Sequence, residues 1–155
     1  MFRSCSPPRL DRDSIDWDRL TIQEPDPDPD GFSHWLDPPR REWMNCHITR
    51  TDESVHDVIR SHLHRSPMYS GQIDGVGPRY CPSIEDKVVR FPERSGHIIH
   101  LEREGLQTNS VYVNGVSTSL PADAQEQLVA RIPGLEKAKF LRHGYAVEYD
   151  FFPPH

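Results

Sequence analysis

The stretch NCHITRTDESVHDVIRSHLHRSP, residues 45–67, changes from one periodicity to another within a few residues, and that change decides the fold class. Cys46, His47, Ile48 and Thr49 form a short run suited to a strand, and Thr51 or Asp52 follows at once as a helix cap. Val55, Val58, Ile59, His62 and Leu63 then recur at the spacing of one helical face. Asp57, Arg60 and Ser61 lie elsewhere, and Pro67 ends the run. A strand feeding directly into an amphipathic helix predicts a chain in which sheet and helix alternate.

The pattern continues downstream. Ile98, His100 and Glu102 alternate with Ile99 and Leu101, and Val111, Val113 and Val116 surround Asn114-Gly115, so residues 97–118 read as two strands with turns, pairing as a hairpin. A helix is expected from Pro121, well suited to the first helical position. Ala124, Leu128, Val129 and Ile132 form its apolar stripe, and Pro133-Gly134 stops it. Tyr145, Val147, Tyr149 and Phe151 alternate with Ala146, Glu148 and Asp150 as a strand with one apolar face, closed by Pro153-Pro154. The order strand, helix, loop, strand, strand, helix, strand predicts an α/β or α+β fold: a mixed β-sheet with packed helices, its strand order open.

Upstream the composition shifts. Residues 1–44 carry seven of the 15 prolines, one glycine, and ten acidic residues against six arginines, which is net −4 of the whole −6. Within them, Pro25-Asp26-Pro27-Asp28-Pro29-Asp30-Gly31 combines fixed φ angles, missing N–H donors and mutually repelling carboxylates. Residues 1–44 are therefore expected to be an irregular, extended Pro/Asp-rich segment and linker, with residues 45–155 as the folded unit.

The 155 residues suffice for one ordinary domain with a real core. A net charge of −6 argues against broad attraction to a phosphate backbone or an anionic membrane. No window holds the roughly 18 consecutive apolar residues of a membrane helix, and the start lacks a signal-peptide core, so a soluble, non-secreted protein is expected. Cys5, Cys46 and Cys81 form no CxxC pair and suit a reducing compartment. The histidines lack metal-ligand spacing: His56 to His62 spans six residues, and no metal is expected. Carboxylate pairs such as Glu85-Asp86 and Glu102/Glu104 read as solvated faces.

The densest chemical signal is residues 75–87, GVGPRYCPSIEDK. Ser83 is a good N-cap and Asp86 completes a capping box, so a helix can start there and lend its partial positive charge to Cys81, beside Arg79. Both effects favour a thiolate, and Pro82 restricts the loop. The alternative is that Cys81 is a small buried apolar residue. Gly75-x-Gly77 is not a dinucleotide fingerprint, because Tyr80 stands where the third glycine belongs. No other GxGxxG and no Walker motif occurs.

At these same residues the sequence resembles the GidA/MnmG flavoproteins, which modify the wobble uridine of certain tRNAs. The resemblance is carried by SPPRLDRDSIDWDRL, by residues 45–91 ending DGVGPRYCPSIEDKVVRF, by LEREGLQTNSVYVNGVSTSLP and by PGLEKAKFLRHGYAVEYDFFPP. It covers nearly the whole chain except the Asp-Pro region, and it corresponds to a middle portion of a family member.

The resemblance implies FAD- and NADH-dependent addition of an aminomethyl or carboxymethylaminomethyl group at uridine C5, with a one-carbon unit from methylene-tetrahydrofolate. It further implies tRNA and the GTPase MnmE as partners, a homodimer, and a cytoplasmic location, mitochondrial in eukaryotic members. The residues matching the family's NADH segment are Gly77, Pro78, Arg79, Tyr80, Cys81, Pro82, Ser83, Ile84, Glu85, Asp86, Lys87, Val88, Val89, Arg90 and Phe91. Cys81 matches one of two cysteines implicated in catalysis, and the other has no counterpart here. Ser4-Cys5-Ser6 departs from the family's Thr-Gly-Thr before Pro-Pro-Arg. The leading expectation is a fragment of a larger FAD/NAD-binding flavoprotein, catalytically silent by itself. The rival is a non-catalytic module that binds NADH or a partner.

Overall fold

Ile99 and Leu101 face the same way along one strand, and Val111 and Val113 do so along its neighbour, with all four fully buried. These two strands, β5 (Ile98–Arg103) and β6 (Ser110–Asn114), pair antiparallel with Leu101 opposite Val113, as the alternation predicts. Gly115 closes β6 with φ +102°, and a Cβ there would meet the Ile98 carbonyl oxygen at 2.8 Å, so this turn admits only glycine. The structure, a computed structural model, describes residues 2–27, 35, 44–72, 82–150, 152 and 154.

Around this hairpin a six-stranded sheet assembles. β4 (Cys46–Arg50) pairs with β5, setting Ile48 opposite His100, and β3 (Thr21–Gln23) forms the edge beside β4. On the other side β2 (Arg9–Asp11) lies between β6 and β7 (Phe140–Arg142), with Leu10 opposite both Val111 and Phe140. The order is β3-β4-β5-β6-β2-β7. A separate two-stranded ribbon joins β1 (Phe2–Ser6) to β8 (Tyr145–Tyr149). Every strand pairing among the described residues is antiparallel.

Among the described residues, three α-helices complete the α/β layering. In α1 (Glu53–His62), Asp52 is the cap: its carboxylate accepts the Val55 N–H at 3.1 Å. Val55, Val58 and Ile59 enter the core as the spacing predicts. α2 (Ile84–Arg90) contributes Ile84 and Val88. α3 (Ala122–Val129) contributes Ala124, Leu128 and Val129, and joins the same apolar cluster as Leu10, Ile99 and Val113.

The structure departs from the sequence reading in three places. Residues 2–23 supply strands to both sheets, where an irregular extended segment was expected over 1–44. Leu10, Ile15 and Leu20 are buried in the common core. Pro7 and Pro8 lie between β1 and β2, where a missing N–H removes no ladder bond. The acidic composition of the whole stretch concealed these three anchors. Residues 24–27 are exposed without regular structure, and most of the remaining Asp-Pro run lies outside the described residues.

The second departure is α3, which ends at Val129. Pro121 is its cap, with extended ψ of 157°, and Ile132 is buried beyond the last helical turn. The third is β8, where Tyr145 and Tyr149 are 40% and 51% exposed. The β1–β8 ribbon is separate from the six-stranded sheet, and this face of it is open. Phe151 lies outside the described residues.

Candidate functional site

The capping box expected at Ser83 is formed. Ser83 Oγ accepts the Asp86 N–H at 3.1 Å, and Asp86 Oδ2 accepts the Ser83 N–H at 3.4 Å. Ile84 and Val88, four apart, bury one stripe of α2 in the core, and the Ile84 N–H donates to the Ser117 carbonyl at 2.8 Å. The helix is thereby fixed by its cap, its apolar stripe and one backbone bond to the segment leading into α3.

This anchoring divides the expected site residues. Ser83, Ile84, Glu85 and Val88 are buried, and Pro82, Asp86 and Lys87 are partly so. Val89, Arg90 and Phe91 are exposed. Lys87 Nζ donates to the Gly115 carbonyl at 3.2 Å, so the side chain runs back across the end of β6. Arg90 approaches Asp86 to 4.0 Å, one turn away. The Asp86 carboxylate also accepts the Tyr69 hydroxyl proton at 2.9 Å, which together with burial raises that phenol's pKa. Gly77, Pro78, Arg79, Tyr80 and Cys81 lie outside the described residues.

Glu85 is where the expected solvated carboxylate pair fails. Its neighbour Asp86 is half-buried, but Glu85 itself has no exposure. Oε1 accepts the Ser119 N–H at 3.0 Å and lies 3.5 Å from Ser66 Oγ, while burial raises the pKa of the carboxyl. The sequence signal was its position three residues before Val88, on the margin of the buried stripe. Glu102 and Glu104 behave as expected of an exposed face. Glu102 accepts from Asn114 Nδ2 at 2.8 Å, and Glu104 accepts from Ser110 Oγ and from Arg9 Nε, bonds that lower its pKa.

A second polar cluster escaped sequence reading altogether. His56 on α1 and His97 ahead of β5 are both buried, with ring centroids 5.3 Å apart. Thr51 Oγ1 accepts the His97 N–H at 2.8 Å and lies 2.9 Å from His56 Nε2. Burial lowers the pKa of both imidazoles. Forty-one positions separate the two histidines, so no local periodicity announces the contact.

Of the remaining thiols, Cys5 is buried in β1. Cys46 has its pKa raised by burial and by the nearby Glu102 carboxylate, the opposite of activation. A groove of about 370 Å³ lies between residues 13–19 and 134–137, lined by carboxylates of Asp13, Asp16 and Glu136 and by Arg19 and Lys137. It shares no residue with α2. No helix among the described residues is long and apolar enough to cross a membrane.

The capped helix, with a carboxyl beneath it and Arg90 and Phe91 outside it, falls in the run that carries the sequence resemblance. Comparison with known proteins agrees along the whole chain. The family model described as glucose inhibited division protein A matches residues 1–155. A relative from Rhodopirellula baltica, named tRNA uridine 5-carboxymethylaminomethyl modification enzyme MnmG, is 58% identical over 99% of this chain and 23% of its own length. A relative of the same name from Bacillus velezensis is 52% identical over 99% of this chain and 24% of its own. Among solved structures, Aquifex aeolicus GidA in one crystal form superposes with a TM-score of 0.83 at 45% identity, covering 94% of this chain and 25% of that one. Its second crystal form gives 0.80 at 41%. The chain thus spans about a quarter of the relatives it matches. At that identity, over that share of its residues, the chain belongs to the glucose inhibited division protein A family.

Proposed function

We propose that this chain supplies the NADH-contacting segment and a reactive thiol to an FAD- and NADH-dependent enzyme that carboxymethylaminomethylates the wobble uridine of tRNA. One observation carries the reading: the family match runs from residue 1 to 155, and two relatives named for tRNA uridine modification exceed half identity across nearly all of it.

Within residues 77–91, Cys81 acts as a thiolate or general acid/base, and Arg79 and Lys87 provide positive charge for phosphates or for tRNA. The described part of the segment fits a dinucleotide in its surface chemistry. Arg90 offers an exposed guanidinium, and Val89 and Phe91, 44% and 42% exposed, offer apolar area beside it. NADH supplies a hydride when bound, and these residues hold and orient it. The 155 residues contain no GxGxxG loop for a flavin pyrophosphate, so flavin binding is assigned to other parts of a complete relative. In that setting the partners are tRNA, the GTPase MnmE and a second copy of the enzyme, in the cytoplasm.

Calorimetric titration of the chain with NADH tests the reading. Binding that weakens several-fold in Arg79→Ala and Arg90→Ala supports it, and no heat above dilution overturns it. An absorbance spectrum of the purified chain is expected to lack flavin bands. A yellow protein would overturn the assignment of flavin binding elsewhere.

A further inference from the structure

Glu85 is fully buried one residue into the α2 helix, and none of the ion pairs among the described residues includes it. Its Oε1 accepts the Ser119 N–H at 3.0 Å and lies 3.4 Å from Ser119 Oγ and 3.5 Å from Ser66 Oγ. The two serine hydroxyls bond each other at 2.7 Å and so share one of their protons. Oε2 is buried and meets no hydrogen-bond partner in good geometry among the described residues.

The hydroxyls of Ser83 and Thr118 lie near the carboxyl and keep their own protons while accepting the Asp86 and Leu120 N–H groups, but neither reaches Oε2 in hydrogen-bond geometry. A carboxylate in such a place has Oε2 without a donor in good geometry and, among the described residues, no ion-pair partner, which is unfavourable. The neutral acid needs only one acceptor for its proton, and two hydroxyl oxygens stand close by.

We propose that Glu85 is kept as the neutral carboxylic acid and is a positioning residue, fastening the first turn of α2 to residues 117–119 and to Ser66. Its function, though not its geometry, rests on the reading of residues 77–91 given above. A seven-residue helix does not hold itself in water. This one is held where Ile84 N–H meets Ser117 and where Glu85 meets Ser119, and that grip turns Arg90 and Phe91 outward.

Burial raises the Glu85 pKa and the surrounding donors pull it only partly back. A carboxyl with a raised folded-state pKa contributes stability that is full below its unfolded pKa of about 4.3. That stability is lost as pH rises through the folded value.

The test is thermal unfolding of the 155-residue chain between pH 4 and 8, for wild type, Glu85→Gln and Glu85→Ala. Glu85→Gln is expected to match wild type at low pH and to lack the decline wild type shows as pH rises. Glu85→Ala leaves the Ser119 N–H unpaired and lowers the folding equilibrium constant roughly tenfold or more at every pH. Glu85→Gln as unstable as Glu85→Ala at pH 7, or a wild type with no decline that Glu85→Gln lacks, overturns the proposal. Infrared spectroscopy of the wild type alone gives a second measure, independent of any variant's folding. A protonated-carboxyl band persisting at pH 7 is expected, and its absence overturns the neutral acid. NADH titration separates the two readings. Glu85→Ala should bind several-fold more weakly than Glu85→Gln. A wild type that binds no NADH removes the dinucleotide reading and leaves unfolding and the infrared band to decide Glu85.

Discussion

Thr51 Oγ1 stands 2.9 Å from His56 Nε2, and the same oxygen accepts the backbone N–H of His97. The other imidazole nitrogen of His56, Nδ1, lies 3.6 Å from Glu53 Oε2. The threonine therefore joins the loop before α1 to the entry of β5 through one hydroxyl. Thr51→Val keeps the shape and deletes both bonds, leaving the buried His97 N–H unpaired. The expected loss is about 1–3 kcal/mol, read by urea unfolding.

The same cluster sets a pH limit. His56 and His97 have pKa values lowered chiefly by burial, so the unfolded chain takes up protons first as pH falls. Stability is full above the unfolded imidazole pKa of about 6.5 and declines as pH drops below it toward the folded values. His56→Gln should flatten that decline in unfolding midpoints measured from pH 7.5 to 5. An unchanged slope would count against the histidines. Glu85 acts with the opposite sign over part of the same range, so the two effects are separable only in single variants.

Leu10 tests whether residues 2–23 belong to the fold, because it is wholly buried between Val111 and Phe140. Leu10→Ala should destabilise the chain by about 2–5 kcal/mol in denaturant unfolding. A change near zero would mean that β2 is a passenger on the sheet.

Cys81 and Cys46 offer a contrast in thiol chemistry. Cys46 is disfavoured as a thiolate by burial and by Glu102. If Cys81 is activated as proposed, an alkylating reagent at neutral pH should modify it faster than Cys46, with peptide mapping as the readout. Equal rates would remove the activated-thiolate role.

Local signals in the sequence were read well where periodicity or capping chemistry stays within one element. The β5–β6 hairpin follows from Ile99, Leu101, Val111 and Val113, and α1 from Val55, Val58 and Ile59. The Ser83–Asp86 box formed as its spacing implied. What escaped has no local signature. β2 and β7 are three residues each, too short to show a period, and their pairing shifts register between Arg9 and Leu10. His56 with His97, and Glu85 with Ser66 and Ser119, are brought together by the packing of separate elements, which composition cannot express.

Across the β1–β8 ribbon, Phe2 is paired with Tyr149, so these two residues lie side by side on neighbouring strands. A short glycine-serine joint between them would close the backbone into a ring with little distortion, and the exposed turn at residues 104–107 is a natural place to reopen it. A circularly permuted version made that way should retain the six-stranded sheet, since neither the joint nor the cut removes a ladder bond.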